Sequence, residues 1–197
     1  QDRLTLISES DKGIYDAMNK GVSLASGDYV GILNADDLYA SDDVLMRVAA
    51  LFKSSGAESV YGDLVYVDRD DPTKVTRTWN SGAFNRKAFL NGWMPPHPTF
   101  FVRKSVYDAH GLFSLELRSS ADYELMLRFL FKTGITTAYL PSILVRMRVG
   151  GMSNASIGNR WRANREDRKA WRMNGVTPYP WTLFLKPLRK VNQLWKR

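Results

Sequence analysis

Helices and buried strands alternate along this 197-residue chain, and the sequence predicts an α/β fold that ends in a basic helical tail. Three observations carry that prediction. Tyr29 to Leu33 is a short continuous apolar run, with Gly27 before it and the polar cluster Asn34-Ala35-Asp36-Asp37 after it. Such a run suits a strand buried on both faces, as in parallel sheets. Just upstream, Ile14, Met18, Val22 and Ala25 recur at helical spacing, and Gly27 suits the left-handed residue that ends a helix. The third observation is charge: residues 160–197 hold 11 Lys/Arg against 2 Asp/Glu, so the net charge of +8 belongs to the tail.

The remaining elements follow in order. Leu4 to Ser8 reads as a short strand remnant or the end of a lost element, and Ser10 to Gly13 as a loop. Val44 to Phe52 is an amphipathic helix closed by Ser54-Ser55-Gly56. Val60 to Val67 reads as a strand, Asp68 to Pro72 as a turn and Lys74 to Trp79 as the hairpin partner. Gly62 inside that strand marks a close backbone approach. Residues 80–99 form an irregular loop whose Trp93 and His97 argue against disorder. Thr99 to Val102 suits a strand and Lys104 to Ala109 a short helix that Gly111 breaks. Ser119 or Ser120 then caps a helix with an apolar stripe at Leu125, Leu127, Phe129 and Leu130, and Glu124 pairs with Arg128 one turn on. Two further strands are expected, Gly134 to Leu140 and Leu144 to Val149. Trp161 to Trp171 is a basic helix, Pro178 and Pro180 break it, and Trp181 to Trp195 is a second amphipathic helix.

Composition bounds the function. Hydrophobic residues make up 44% and charged residues 24%, which suits one soluble domain with a real core. The absence of cysteine excludes disulfides, thiolate metal sites and thiol nucleophiles, and fits a reducing cytoplasm. No apolar run approaches the roughly 18 residues of a membrane span.

Two acidic sites stand out. Asp36 and Asp37, with the Asn34 amide, make the hard oxygen cluster that Mg²⁺ or Mn²⁺ needs. The alternative is that they open the next helix, a task for which Ser41-Asp42-Asp43 is already placed. Asp122 falls in the first turn of its helix, where the dipole keeps a carboxylate ionised. It can serve either as a cap or as a base toward a hydroxyl. Lys12 is either a point charge for a diphosphate or a solvated loop residue. Asp16 and Asn19 share one helical face, which points either to a ligand or to solvent.

The segments Ser8-Glu9-Ser10-Asp11-Lys12-Gly13-Ile14-Tyr15-Asp16-Ala17-Met18-Asn19-Lys20-Gly21, Ala25-Ser26-Gly27-Asp28-Tyr29 and Leu33-Asn34-Ala35-Asp36-Asp37 closely resemble family 2 glycosyltransferases. The nearest likeness is to bacterial enzymes that build exopolysaccharide, capsule or O-antigen units, and it runs from about residue 8 to 153. The resemblance implies a Rossmann-like GT-A fold with a mostly parallel mixed sheet over residues 1–153, followed by the basic amphipathic tail at 154–197. Family members open with a strand, a helix and a second strand that bind the nucleoside. Those parts would precede Gln1, so the chain reads as lacking the N-terminal part of the domain.

The resemblance further implies inverting, metal-dependent transfer of a sugar from a nucleotide-diphosphate donor to a saccharide or polyprenyl-linked acceptor. Asn34 stands at the first position of the DxD metal motif and Asp36 at the second, with Asp37 able to compensate for the lost carboxylate. Lys12, Asp16, Asn19, Asn34, Asp37 and Asp63 are the expected donor contacts. Asp122 is the expected acceptor base, with Ala121 in place of a first acid. Trp93 and His97 are expected to shape the acceptor side, and Gly150-Gly151-Met152-Ser153 to lie near the donor. Trp and Leu beside Lys and Arg in 181–197 suit a helix on a membrane interface, hence a cytoplasmic protein at the inner face of the membrane. Packing on its own domain is the alternative for that helix. Two other functions stay open: a glycoside hydrolase using Asp36 and Asp122, and an inactive or truncated domain acting as a membrane- or partner-binding module. No base-reading module is present, so nucleic acid is not an expected partner.

Overall fold

The computed structural model describes residues 4–150 and 157–191. A mixed sheet lies between two layers of helices. Six strands take part: β1 (Tyr29–Val30), β2 (Leu38–Tyr39), β3 (Ser59–Val67), β4 (Val75–Trp79), β5 (Phe101–Arg103) and β6 (Thr137–Arg148). Their order is β1-β5-β3-β6-β2, with β4 paired to the far end of β3. The sheet is mixed as expected, but the described pairings are antiparallel apart from β3 with β6. Strands β3 and β6 run parallel and are joined through a long, helix-containing connection, as a parallel pairing requires.

Strand β3 is buried along its whole length and organises both faces. Val60 and Leu64 point to one side, where α2 (Val44–Ser55) packs Val44, Val48 and Phe52 against them. Tyr61 points to the other, into the larger core with α1 (Ile14–Leu24), α3 (Lys104–His110) and α4 (Ala121–Met126). This side alternation is the period-2 geometry of a strand. Gly62 makes the expected close approach: a Cβ there would fall 2.6 Å from Leu144 Cδ1.

Several expectations are corrected. Helix α1 ends at Leu24 with an extended Ala25, and Gly27 has no positive φ. The left-handed glycine cap belongs to α2 instead, at Gly56 with φ 67°. The strand expected over Tyr29–Leu33 is only two residues long. It pairs with β5 on one side, and Gly31 beyond it is exposed. Leu4 to Ser8 forms no strand; with no ladder partner among the described residues, its backbone gains nothing by extending into one. The two strands expected over 134–149 are one. Strand β6 runs through Pro141 because the register to β3 slips between Gly62/Leu140 and Asp63/Ile143, a bulge that tolerates a residue without an N–H. Past α4 the chain continues as a π-helix over Leu127–Thr133, closed by Gly134 at φ 73°.

Residues 154–197, read from sequence as a separate tail, share the core of the domain where they are described. Helix α5 (Ile157–Met173) buries Ala170 and Trp171, and the Trp171 indole donates to the Tyr123 hydroxyl at 3.0 Å. Helix α6 (Thr182–Val191) rests on the 3₁₀ turn Arg86–Asn91: the Thr182 hydroxyl donates to the Leu90 carbonyl, and Gly92 lies against the Lys186 backbone. Among the described residues no helix is long and apolar enough to cross a membrane.

Candidate functional site

Three polar clusters hold the candidate residues, and hydrogen-bond accounting separates them. The first lies just past β1. The turn Asn34–Asp37 is closed by the Asp37 N–H on the Asn34 carbonyl at 3.0 Å, while the Asn34 amide donates to Asp37 Oδ2 at 2.9 Å. Asp37 is 4% exposed, and among the described residues its Oδ1 makes no hydrogen bond of ordinary geometry, although the Arg148 backbone N–H and guanidinium lie close enough to act on the carboxylate. Burial raises its carboxyl above the usual range and the Asp36 charge adds to that rise; the Asn34 bond, the Arg148 backbone N–H and the Arg148 charge oppose it. Asp36 is exposed beside it. The chain continues into β2, and α2 starts only at Val44, so the pair does not open a helix.

These residues fit a divalent cation. A buried carboxylate oxygen without a hydrogen bond of ordinary geometry among the described residues and a second, solvent-facing carboxylate form an incomplete hard-oxygen set. No group of three or more metal-ligating side chains exists among the described residues. A cation here would therefore share its shell with substrate phosphates, as Mg²⁺ usually does. An open groove of about 670 Å³ runs from this turn along α1, with Ile14, Met18, Val22, Val30 and Ile32 on its walls and Asn34 and Asp36 at its end.

The second cluster surrounds Asp122 in the first turn of α4. The carboxylate is half-buried and accepts the Tyr15 hydroxyl at 3.1 Å, a bond that reaches across from α1. Burial, then the Asp122 charge, pushes the Tyr15 phenol well above its ordinary value, so it remains a donor. His97 is buried on the same side, edge-on to Phe113. Burial lowers its pKa and the Asp122 charge opposes the shift, so the ring is neutral at pH 7. Ser120 occupies the N-cap position without a side-chain cap bond; its hydroxyl donates to the Ala163 carbonyl.

The third group is satisfied structurally. Asp63 is buried; its Oδ1 accepts the Ser81 N–H at 2.7 Å, and the Tyr139 hydroxyl lies 2.9 Å from both its oxygens. Asn19 is committed on both amide atoms: Nδ2 donates to the Phe113 carbonyl at 2.9 Å, and Oδ1 accepts the Phe113 N–H at 2.8 Å. Asp16 accepts the Lys12 N–H at 2.9 Å and lies 3.8 Å from Lys20. Lys12 itself is exposed. Trp93 is buried among Tyr61, Phe84 and Phe89, and its indole donates to the Ser81 carbonyl at 2.9 Å. It anchors the 80–99 loop and presents no free ring face for a sugar. Gly151 to Ser153 lie outside the described residues.

Sequence reasoning missed Tyr15 and Arg148. Tyr15 sits beside the noted Asp16 but faces the core, stacked on Phe113 at 5.7 Å. Arg148 ends β6, and its proximity to Asp37 is a tertiary fact that no local pattern shows.

Comparison with known proteins gives the family. The glycosyl transferase family 2 profile matches residues 1–118, and the chain belongs to that family. A PGL/p-HBAD biosynthesis glycosyltransferase of Mycobacterium bovis is 30% identical over 158 residues, covering 79% of this chain and 59% of that protein. A chondroitin synthase of Pasteurella multocida is 25% identical over 126 residues, covering 64% of this chain and 13% of that protein. Among solved structures, S. aureus TarS 1-349 in complex with UDP-GlcNAc superposes with a TM-score of 0.58 at 14% identity, covering 85% of this chain and 47% of that one. That likeness supports the GT-A-like fold. The chain spans less than two thirds of the length of each of these proteins.

Proposed function

We propose that this chain carries the donor-metal and acceptor sites of an inverting, metal-dependent glycosyltransferase. Its donor would be a nucleotide-diphosphate sugar and its acceptor a saccharide or lipid-linked saccharide, in the synthesis of a cell-surface glycan. The observation that carries the reading is the buried Asp37 carboxylate, one oxygen of which makes no hydrogen bond of ordinary geometry among the described residues, next to the exposed Asp36 that ends an open groove. Asp36 and Asp37 would hold Mg²⁺ or Mn²⁺, which supplies charge neutralisation on the leaving diphosphate. Arg148 adds fixed positive charge on the same side.

Asp122 would take the acceptor hydroxyl proton as that oxygen attacks the anomeric carbon. Tyr15 holds one carboxylate oxygen through its hydrogen bond, which leaves the other to face the acceptor. His97, buried and neutral, fills the wall behind Asp122 and adds no competing charge. A lipid-linked acceptor would bring the enzyme to the inner face of the cell membrane. The likeness to TarS, solved with UDP-GlcNAc and with UDP, makes uridine nucleotides the first donors to test.

Titration calorimetry of the chain with UDP, with and without Mn²⁺, tests the reading. Metal-dependent binding that Asp36→Ala abolishes supports it. Silence from a folded chain, and from the same chain extended upstream of residue 1, would sink it. In the active protein, Asp122→Asn should keep donor affinity while lowering turnover about 10²- to 10⁴-fold.

A further inference from the structure

The last two helices carry opposite kinds of stripe on their outward sides. On α6 the inward residues are spent: Thr182 on the Leu90 carbonyl, Leu183 in the core, and Lys186 on Asp167 at 2.7 Å and over the Tyr123 ring at 3.6 Å. Trp181, Phe184 and Leu188 recur at the i, i+3, i+7 spacing of a single helical face, and they are 49%, 63% and 59% exposed. Tyr179 stacks on Trp181 at 4.9 Å and is itself exposed, so it extends the apolar row.

On α5 the inward residues Asp167, Ala170, Trp171 and Asn174 are buried. Arg165, Arg168 and Arg172 repeat the same i, i+3, i+7 spacing outward. All three are exposed, and none carries an ion pair among the described residues.

Four large apolar side chains held in water on and just before a packed helix are not the residue of a poorly packed tail. The other side of the same helix is closely packed, down to a glycine, Gly92, against whose backbone contact a Cβ would collide at 2.5 Å. We propose that the outer face of α6 seats on an anionic lipid surface, with Trp181, Phe184 and Leu188 entering the headgroup boundary and the arginine row of α5 drawing the protein to the negative charge. Trp, Phe and Leu beside Arg is the composition that binds such an interface, and 11 Lys/Arg against 2 Asp/Glu over 160–197 provide the matching charge. Docking through this face leaves Asp36, Asp37 and Asp122 on other elements free to work.

The test is vesicle co-sedimentation of the full chain, read without donor or acceptor so that it stands apart from sugar transfer. Mixed phosphatidylcholine–phosphatidylglycerol vesicles should bind the chain, pure phosphatidylcholine should bind it far less, and high salt should weaken binding. The double variant Phe184→Ser/Leu188→Ser, with an unchanged melting temperature, should lose affinity about tenfold or more. Arg165→Ser/Arg168→Ser should weaken binding to anionic vesicles while leaving the residual neutral-vesicle binding unaltered. The proposal fails if the wild-type chain ignores anionic vesicles, or if the Phe184/Leu188 variant binds as well as wild type. It fails equally if that face instead drives concentration-dependent self-association in sedimentation velocity, which would make a second copy its occupant.

Discussion

Asp37 and Asp63 are both carboxylates almost out of contact with water, 4% and 8% exposed, and both lie on or just past a strand. Their surroundings differ. Asp63 has the Ser81 N–H and the Tyr139 hydroxyl on its oxygens, and it ties the 80–99 loop and β6 to β3. Asp37 has the Asn34 amide on one oxygen and, among the described residues, no hydrogen bond of ordinary geometry on the other. Burying a carboxylate costs free energy unless its lone pairs are used. At Asp63 the fold recovers that cost itself, whereas at Asp37 it is left for something else to recover. The contrast shows that burial of an acid does not by itself mark a functional site; nor does an unbonded oxygen, since Asp167 Oδ1 is buried without a partner among the described residues beside Lys186, and what sets Asp37 apart is the exposed Asp36 and the groove next to it.

Four measurements break or sharpen that contrast. Asp63→Ala should have the largest effect, because it strands the buried Ser81 N–H and the half-buried Tyr139 hydroxyl: about 2–4 kcal/mol lost in denaturant unfolding, with the 80–99 loop loosened. If Asp63→Ala melts like wild type, the division between the two acids is wrong. Asp37→Asn should do the reverse. Metal-dependent nucleotide binding should drop about tenfold or more by calorimetry while thermal stability does not fall, since the substitution removes a charge that burial disfavours.

Asn19→Ala belongs with Asp63 but is more exposed. It should cost about 1–2 kcal/mol and leave nucleotide affinity unchanged; a change in affinity would return Asn19 to the donor site. The smallest effect is in pH. The Asp37 pKa is raised in the folded chain, so its contribution to stability is present at low pH and is lost as pH rises through the folded value. The same shift makes protons compete with metal at a higher pH than at an ordinary carboxylate. Mn²⁺ affinity should therefore decline on acidification before it does at an exposed acidic pair, and the decline should vanish in Asp37→Asn.

Much of the frame was legible because it is local. The β3–β4 hairpin, the Gly56 end of α2, the Glu124–Arg128 pair at 3.0 Å and the break between α5 and α6 follow from periodicity, glycine and proline placement and i, i+4 geometry. The acidic turn after β1 was legible too, since Asn34, Asp36 and Asp37 follow directly on the apolar run Tyr29 to Leu33. What failed was whatever depends on partners distant in sequence. Asn19 shares a helix with Asp16, and nothing local says that its amide clasps Phe113, 94 residues away. Trp93 is expected on the acceptor side, and only its packing among Tyr61, Phe84 and Phe89 shows that it is committed to the core. The merged strand β6 was hidden by Pro141, which only the bulge against β3 makes acceptable.

The tail shows both sides at once. Its sequence posed a choice between a helix that packs on its own domain and one that meets a membrane. In the structure the inner side of α6 is packed and the outer side is still apolar, so the two readings occupy different faces of one helix.

By itself the sequence determined the family, the alternation of helices and strands, the acidic turn and the basic character of the C-terminal region. Each of these is set by residue type and short-range spacing. Only the tertiary structure decided which polar side chains are spent on the fold and which are left over, because a hydrogen-bond partner is a matter of position in space. That is why Asp37, Asp63, Asn19 and Trp93 look equally promising on the chain and come apart in the folded molecule.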